Sequence, residues 1–572
     1  MSEIFSVLFS SDRSSSGKST LTIAFAYKLK EMGISTMLYK IGPDFIDPIV
    51  ISNAVKSPVK NIDLNLIPSK RLYKWFFADV QGVQEADNPR KAFIIEGAMG
   101  LYDGISYLTA KRFKTPVVLV MDCKKISGTL ASLVFGLKNY KKGMIVSGVI
   151  LNNISSLRHY EIISEEIKSN IKNIEVFGYV LNNEKNIGIK ERHLGLTVPS
   201  SAIANQFTSE VIPEGLEEFD GKIINLQKKV MENIDVDLMI KTLKKDSKSF
   251  LKLFRENYRK RVPSVKNICE NNINIINNIS NNGDSDNDDN NDNNDNECIK
   301  DIFNVNCRNL LNNSRTVAKR EFKRFKSVKI AVPYDDAFLF YYNFNFEILK
   351  RFGAEMAFFS PINDRTLPSG TKAIYIGGGY PELYAKELSS NISLKKDIYD
   401  FFLNNGIIYG ECGGLMYLCR NLIYKGNIYE FLGILPFTVT MDDVKLTLGY
   451  RTIHTAEDSI FGMKGLRING HEFHYSKLIL DLNDVSGYNA FTDNSCKDDG
   501  KNGKNSCNNY NDINRLNVKT VFSFENPAAK GVFYNEGYNI LNALGTYIHV
   551  SFFSNMLMAR NFVENAKRGV KR

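Results

Sequence analysis

Short apolar runs recur along this chain, and most of them end in glycine, serine or an acid. Ile4-Phe5-Ser6-Val7-Leu8-Phe9, Thr36-Met37-Leu38-Tyr39-Lys40, Ala92-Phe93-Ile94-Ile95, Val117-Val118-Leu119-Val120-Met121-Asp122 and Ser147-Gly148-Val149-Ile150-Leu151-Asn152 read as buried strands. Helical or loop sequence follows each, as in Leu21-Thr22-Ile23-Ala24-Phe25-Ala26. Strands alternating with helices predict a parallel sheet, which binds ligands at the carboxyl ends of its strands. From about Lys245 the pattern dissolves, and Asn271 to Asn296 is almost wholly Asn, Asp, Ile and Ser. That composition buries too little apolar area to fold and reads as a linker or insertion. A second polar insertion runs from Asp493 to Asn514. Between the two, order returns with Val328-Lys329-Ile330-Ala331-Val332, Lys372-Ala373-Ile374-Tyr375-Ile376 and Ile407-Ile408-Tyr409. The expected organisation is α/β, with two doubly wound domains at 1–245 and 327–572 and a low-complexity linker at 246–326.

Composition narrows this only a little. At 572 residues the chain exceeds what one core supports. No stretch reaches the apolar length of a membrane span, and Met1-Ser2-Glu3-Ile4 lacks the layout of a signal peptide, so a cytoplasmic location is expected. The eight cysteines are scattered without zinc-site or disulfide spacing, and are expected to be reduced. A net charge of +10 could suit nucleic acid, but the lysines are spread out and no basic motif appears; an anionic small substrate explains it equally. Asp284-Ser285-Asp286-Asn287-Asp288-Asp289 lacks the glycine turn and terminal Glu of a calcium loop.

The chemistry concentrates in a few places. Gly410-Glu411-Cys412-Gly413-Gly414 lies between the run Ile407-Ile408-Tyr409 and the helix-like Leu415-Met416-Tyr417-Leu418-Cys419. Strand, sharp turn and helix make a nucleophile elbow, in which the helix start favours the thiolate and free N–H groups hold an oxyanion. Most free cysteines are buried and structural, but a packed core position has no use for bare turns on both sides. Gly377-Gly378-Gly379 offers the other half of an oxyanion hole. A cysteine nucleophile needs a histidine; His549 follows an apolar strand-like run, and His471 and His474 compete with it. At the amino end, Ile4–Phe9 runs through a serine-rich loop into Gly17-Lys18-Ser19-Thr20, the construction of a phosphate-binding loop. Lys18 would neutralise the terminal phosphates, and Ser19 or Thr20 would ligate Mg²⁺. Ser11 and Asp12 stand where a glycine usually allows close approach, which predicts weakened ATP binding unless Arg13 offsets the charge of Asp12. Acids also end the strands, as Asp44 and Asp47 in Gly42 to Pro48 and as Glu96 and Asp103 in Glu96 to Gly104.

Taken together these motifs resemble the cobyrinate a,c-diamide synthase family: an ATP-binding, dethiobiotin-synthetase-like, P-loop NTPase-like domain joined to a triad-type class I glutamine amidotransferase domain. The matching stretches also include Arg192-His193-Leu194-Gly195-Leu196, Gly377 to Glu382, Gly449-Tyr450-Arg451 and Gly470 to Ser476. The resemblance implies a ligase that uses ATP, Mg²⁺ and L-glutamine to amidate two carboxylates of cobyrinate or a related tetrapyrrole. It implies Cys412 and His549 as nucleophile and base, and Gly378, Gly379 and Gly413 about the oxyanion. Gly17, Lys18, Ser19 and Thr20 would hold ATP, with Asn152 at the adenine edge. Ser19, Asp44 and Glu96 would serve the metal, and Asp44, Asp47 and Asp103 the substrate. Neither nucleic acid nor a membrane is an expected partner, and a homodimer stays open. A nickel-sirohydrochlorin a,c-diamide synthase shares these motifs, and a non-catalytic member of the fold is the third reading. Ser551 stands where class I amidotransferases often carry the third triad carboxylate, so a different orientation of His549 is expected.

Overall fold

The computed structural model describes residues 4–73, 75–76, 90–182, 216–259, 327–479, 518–525 and 531–569. The two Asn/Asp-rich insertions and the Arg192–Leu196 motif lie outside them. The amino-terminal sheet has seven strands, β1 (Ile4–Ser10), β2 (Ser35–Ile41), β3 (Val59–Ile62), β4 (Lys91–Glu96), β5 (Val117–Asp122), β6 (Val146–Ile154) and β7 (Glu175–Leu181). All are parallel, in the order β3-β2-β4-β1-β5-β6-β7. Every residue of β1 is buried, as expected of a strand with helices on both faces. Because β1 is central, its carboxyl end opens beside those of β4, β2 and β5, so the serine-rich loop, Glu96, the Asp44/Asp47 loop and Asp122 share one rim. Order continues past 245 into the helix Lys248–Arg259. Phe250 explains why: its ring packs on Phe76 and Phe93, and Ser247 exchanges hydrogen bonds with the Ser6 backbone.

The carboxy-terminal sheet has ten strands, of which one half is parallel and the other antiparallel. Its parallel half carries Ile407–Glu411 beside Ala543–Thr546, with Glu411 opposite Thr546. The chain then crosses at Tyr547 and pairs its next strand, Ile548–Val550, with Arg467–His474 at the other edge of the sheet, His549 opposite His471. This switch of partners curls the sheet and returns the histidine to the end of the cysteine strand.

The two domains meet through a continuous core. Trp75 of the first packs edge-on against Phe344 and Phe553 of the second and donates from Nε1 to Glu347 at 2.9 Å. Lys60 pairs with the same Glu347 at 2.8 Å, Tyr450 donates to Asp63 at 2.8 Å, and Arg71 reaches the carbonyls of Phe553 and Ser554.

Candidate active site

The elbow forms as its glycines require. Cys412 has φ 52° and ψ −103°, a strained combination for a residue with a β-carbon and one that cysteine holds only because the surroundings impose it. A β-carbon on Gly414 would fall 2.3 Å from the Ile376 carbonyl oxygen, and one on Gly410 would fall 2.8 Å from the Gly414 backbone. Both positions therefore need glycine for the helix Gly413–Leu418 to start directly on the strand. The thiol is buried, faces the Phe473 carbonyl at 3.7 Å and accepts from the Gly413 amide.

Gly378 and Gly379 form a two-residue strand against Phe338–Phe340, close above the elbow. A β-carbon on Gly413 would lie 3.0 Å from the Gly379 nitrogen, and one on Gly378 would lie 2.4 Å from His549 Cε1. The structure thus brings Cys412, His549, Gly378, Gly379 and Gly413 to one place. His474 is committed elsewhere: it bonds Glu472 at 3.0 Å and the Ser476 carbonyl at 2.8 Å and stacks on Tyr547, while Glu472 also holds Arg451 at 2.8 Å. This network accounts for the Gly449-Tyr450-Arg451 and Gly470–Ser476 motifs.

Sequence reasoning missed Glu411. Its carboxylate lies 3.8 Å from His549 Nδ1, which has no hydrogen-bond partner among the described residues. Three donors fix that carboxylate: Tyr409 at 2.8 Å, Tyr375 at 2.9 Å and the Val550 amide at 3.0 Å. The acid adjoining Cys412 in sequence thus faces His549, whereas Ser551 is buried with its hydroxyl unbonded among the described residues. The available signal was the acid inside the elbow motif itself.

The electrostatics correct one expectation. Burial, reinforced by Glu382, Glu411 and Glu472, pushes the Cys412 thiol up to about 12 against the pull of the Gly413 amide, so the helix start does not make a resting thiolate. Burial, reinforced by His471 and His474, pushes His549 down to about 3. Burial thus disfavours the charged form of both groups.

At the other site, Gly17 adopts φ 92° and closes the loop, and the Asn152 amide donates to the Ser16 carbonyl at 2.9 Å. Asn152 thereby holds the loop backbone, in addition to the adenine contact the resemblance implies. Lys18 is folded into the loop, donating to Ser11 Oγ and the Arg13 carbonyl, both at 2.8 Å; burial pulls its pKa down to about 8 against the attraction of Glu96. Thr20 sits half-buried in the first turn of the following helix, Lys18–Glu31. Arg13 pairs with Asp12 at 2.7 Å and with Asp122 at 2.9 Å, which offsets the acid placed where glycine was expected.

Ser19 donates to Glu96 at 2.8 Å, and Lys40 bonds Glu96 at 2.6 Å and Asp47 and stands 3.8 Å from Asp44. The three carboxylates outweigh burial and keep the Lys40 ammonium charged. Among the described residues no group of three or more His, Cys, Asp or Glu side chains is set to hold a metal by itself. The donor set nevertheless fits Mg²⁺: three carboxylates outnumber one ammonium, and Glu96 Oε2 is buried beside the Ser19 hydroxyl without a partner among the described residues. Asp103 is exposed on the adjoining loop, which reaches the phosphate loop through Leu101 N to Ser11 O at 2.7 Å. It takes no part in the Lys40 cluster described here.

A phosphate-loop domain and a cysteine elbow on a curled mixed sheet define a nucleotide-binding glutamine amidotransferase. Residues 7–196 match the CobQ/CobB/MinD/ParA nucleotide binding domain, and residues 329–557 match the CobB/CobQ-like glutamine amidotransferase domain. The chain is similar to the cobyrinate a,c-diamide synthase of Picrophilus torridus, 31% identical over 84% of this chain and 90% of that one. It is also similar to that of Thermoplasma volcanium, 29% identical over 99% and 98%, and that of Caldanaerobacter subterraneus, 31% identical over 81% and 85%. The chain belongs to the cobyrinate a,c-diamide synthase family and is a glutamine-dependent ligase. Among the described residues no helix is long and apolar enough to cross a membrane.

Proposed function

We propose that this enzyme uses ATP and L-glutamine to convert the a and c carboxylates of cobyrinate into amides. The observation that carries the reading is the assembly of Cys412, His549 and the Gly378/Gly379/Gly413 amides in one domain, with His549 in contact with the phosphate-loop domain through Phe45. The names and extents of the relatives support the substrate.

In the glutaminase half-reaction, the glutamine side-chain carbonyl lies against the amides of Gly378, Gly379 and Gly413. Cys412 Sγ attacks the carbonyl carbon while His549 Nε2 takes the thiol proton, with Nδ1–H directed at Glu411. Collapse expels ammonia, which takes the proton from His549, and water then releases glutamate from the thioester.

In the synthetase half-reaction, the phosphate loop and Lys18 grip the ATP phosphates, and a substrate carboxylate oxygen attacks the terminal phosphorus with ADP as leaving group. Ammonia attacks the resulting acyl phosphate and inorganic phosphate departs. Ser19 and Glu96 would hold Mg²⁺, which neutralises phosphate charge when bound. By the resemblance, Asp44, Asp47 and Asp103 would border the substrate region, with Lys40 and Mg²⁺ offsetting their charge.

The test pairs purified enzyme with cobyrinate or nickel-sirohydrochlorin, ATP, and either glutamine or ammonium. Amide on cobyrinate alone is expected; amide on nickel-sirohydrochlorin alone would give the reaction to the other ring. Cys412→Ala should abolish the glutamine reaction and keep the ammonia reaction. Loss of both would remove Cys412 from catalysis.

A further inference from the structure

We infer that Phe45 is the door between the glutaminase and synthetase sites, worked from the phosphate loop through Glu96, Lys40 and the Asp44/Asp47 pair. The inference rests on the functional reading above and assigns a coupling residue to that reaction.

Phe45 belongs to the amino-terminal domain, yet its ring lies among three rings of the other domain. It stacks on Phe340 at 5.2 Å and 10°, and packs on Tyr342 at 4.6 Å and on the His549 imidazole at 4.9 Å. Phe340 pairs with Gly378, so the ring covers the histidine and the strand of the oxyanion glycines together. Plain interface packing is already supplied elsewhere by Trp75, Phe344 and Phe553. What sets Phe45 apart is its position between two acids of the opposite site. Asp44 Oδ1 accepts from the amides of Ile46 and Asp47 at 3.0 and 3.2 Å, and Asn61 donates to the Asp44 carbonyl at 2.7 Å, so the carboxylate and backbone that flank Phe45 move as a unit.

That unit is tied to the nucleotide site. Ser19 bonds Glu96, Glu96 bonds Lys40, and Lys40 bonds Asp47 and approaches Asp44. In the proposed coupling, charge arriving at Ser19 and Glu96 redistributes Lys40 among its carboxylates, through charge-assisted contacts that are strong in a buried cluster. Beside the ring lies a small cavity of about 10 Å³, bounded by Phe45, Pro48, Ile49, Asn61, Tyr341 and Asn343. It has room for one molecule the size of water or ammonia. Tyr341 accepts from the Gly377 amide at 2.9 Å, so the cavity shares one wall with the oxyanion strand and another with the Asp44 loop.

The experiment measures glutaminase rate with and without ATP, Mg²⁺ and cobyrinate, and glutamine consumed per amide formed, in wild type, Phe45→Ala and Phe340→Ala. In the wild type we expect saturation of the synthetase site to raise the glutaminase rate about tenfold, and one glutamine to be consumed per amide. In both variants the stimulation should fall to about twofold or less, and the glutamine-to-amide ratio should at least roughly double, because ammonia escapes. Ammonia-driven amidation by Phe45→Ala should stay within about twofold of wild type. Phe340→Ala removes the stacking partner while leaving the residues of the Asp44 loop unsubstituted, and decides the matter should Phe45→Ala fold poorly. The door is overturned by wild-type stimulation and stoichiometry in Phe340→Ala, or by a wild-type glutaminase rate indifferent to the synthetase site. A wild type that makes amide from ammonia but never from glutamine would instead overturn the functional reading, and the door with it.

Discussion

Glu411 shows how much one side chain decides at the glutaminase site. It stands 3.8 Å from His549 Nδ1 and is held by three donors, which in the proposed reaction would let it orient His549 as base. Burial pushes its carboxyl up to about 7 in spite of those donors. A carboxyl whose folded pKa is raised contributes stability that is present below its unfolded pKa near 4.5 and is lost as pH rises through 7. Glu411→Gln should flatten that part of the stability profile, by up to ~3 kcal/mol between pH 5 and 8, readable in chemical denaturation at the two pH values. Its glutaminase kcat should fall on the order of 10²-fold with ammonia-driven amidation kept. An unchanged glutaminase would remove Glu411 from the triad. At the phosphate loop, Arg13 already pairs with Asp12 in an exposed setting worth ~1 kcal/mol or less, so Asp12→Gly should shift the ATP KM by less than about fivefold. Lys18→Ala should lose ATP-dependent amidation from either nitrogen source; full activity would refute the phosphate-loop assignment.

At the scale of elements, both sites are strand-to-helix turns that only glycine can make. The elbow brings the helix Gly413–Leu418 within contact of Ile376, and Gly17 takes a left-handed conformation before the helix Lys18–Glu31. Gly414→Ala would press a methyl group into backbone, where side-chain rearrangement gives no relief. We expect ~1–3 kcal/mol of destabilisation and loss of glutamine-dependent amidation, with the ammonia reaction surviving in the folded fraction. Thermal melts and the two assays in parallel check this. Wild-type glutaminase in Gly414→Ala would mean that the turn relaxes without moving the thiol.

Across the whole molecule, the domain contact makes two half-reactions one enzyme. Trp75 is buried at that contact, wedged against Phe344 and Phe553 and bonded to Glu347. Trp75→Ala should cost ~3–5 kcal/mol and raise the glutamine consumed per amide, because the passage between sites loses its support. Coupled turnover assays would show it, and tight stoichiometry in a destabilised variant would place the passage elsewhere.

The sequence by itself determined what is local. The buried strand before Gly17-Lys18-Ser19, the glycines around Cys412 and the strand carrying His549 are written in consecutive residues, because turns and strands are set by φ, ψ and periodicity over a few positions. Which acid lies against His549 is settled by tertiary structure alone, since Glu411 and His549 meet through the partner switch that sends Ile548–Val550 to the far edge of the sheet. It alone placed Lys40 among Asp44, Asp47 and Glu96, and Phe45 against a histidine of the other domain. Such pairings depend on strand order and on how two cores dock, and a chain read residue by residue carries no period that encodes either.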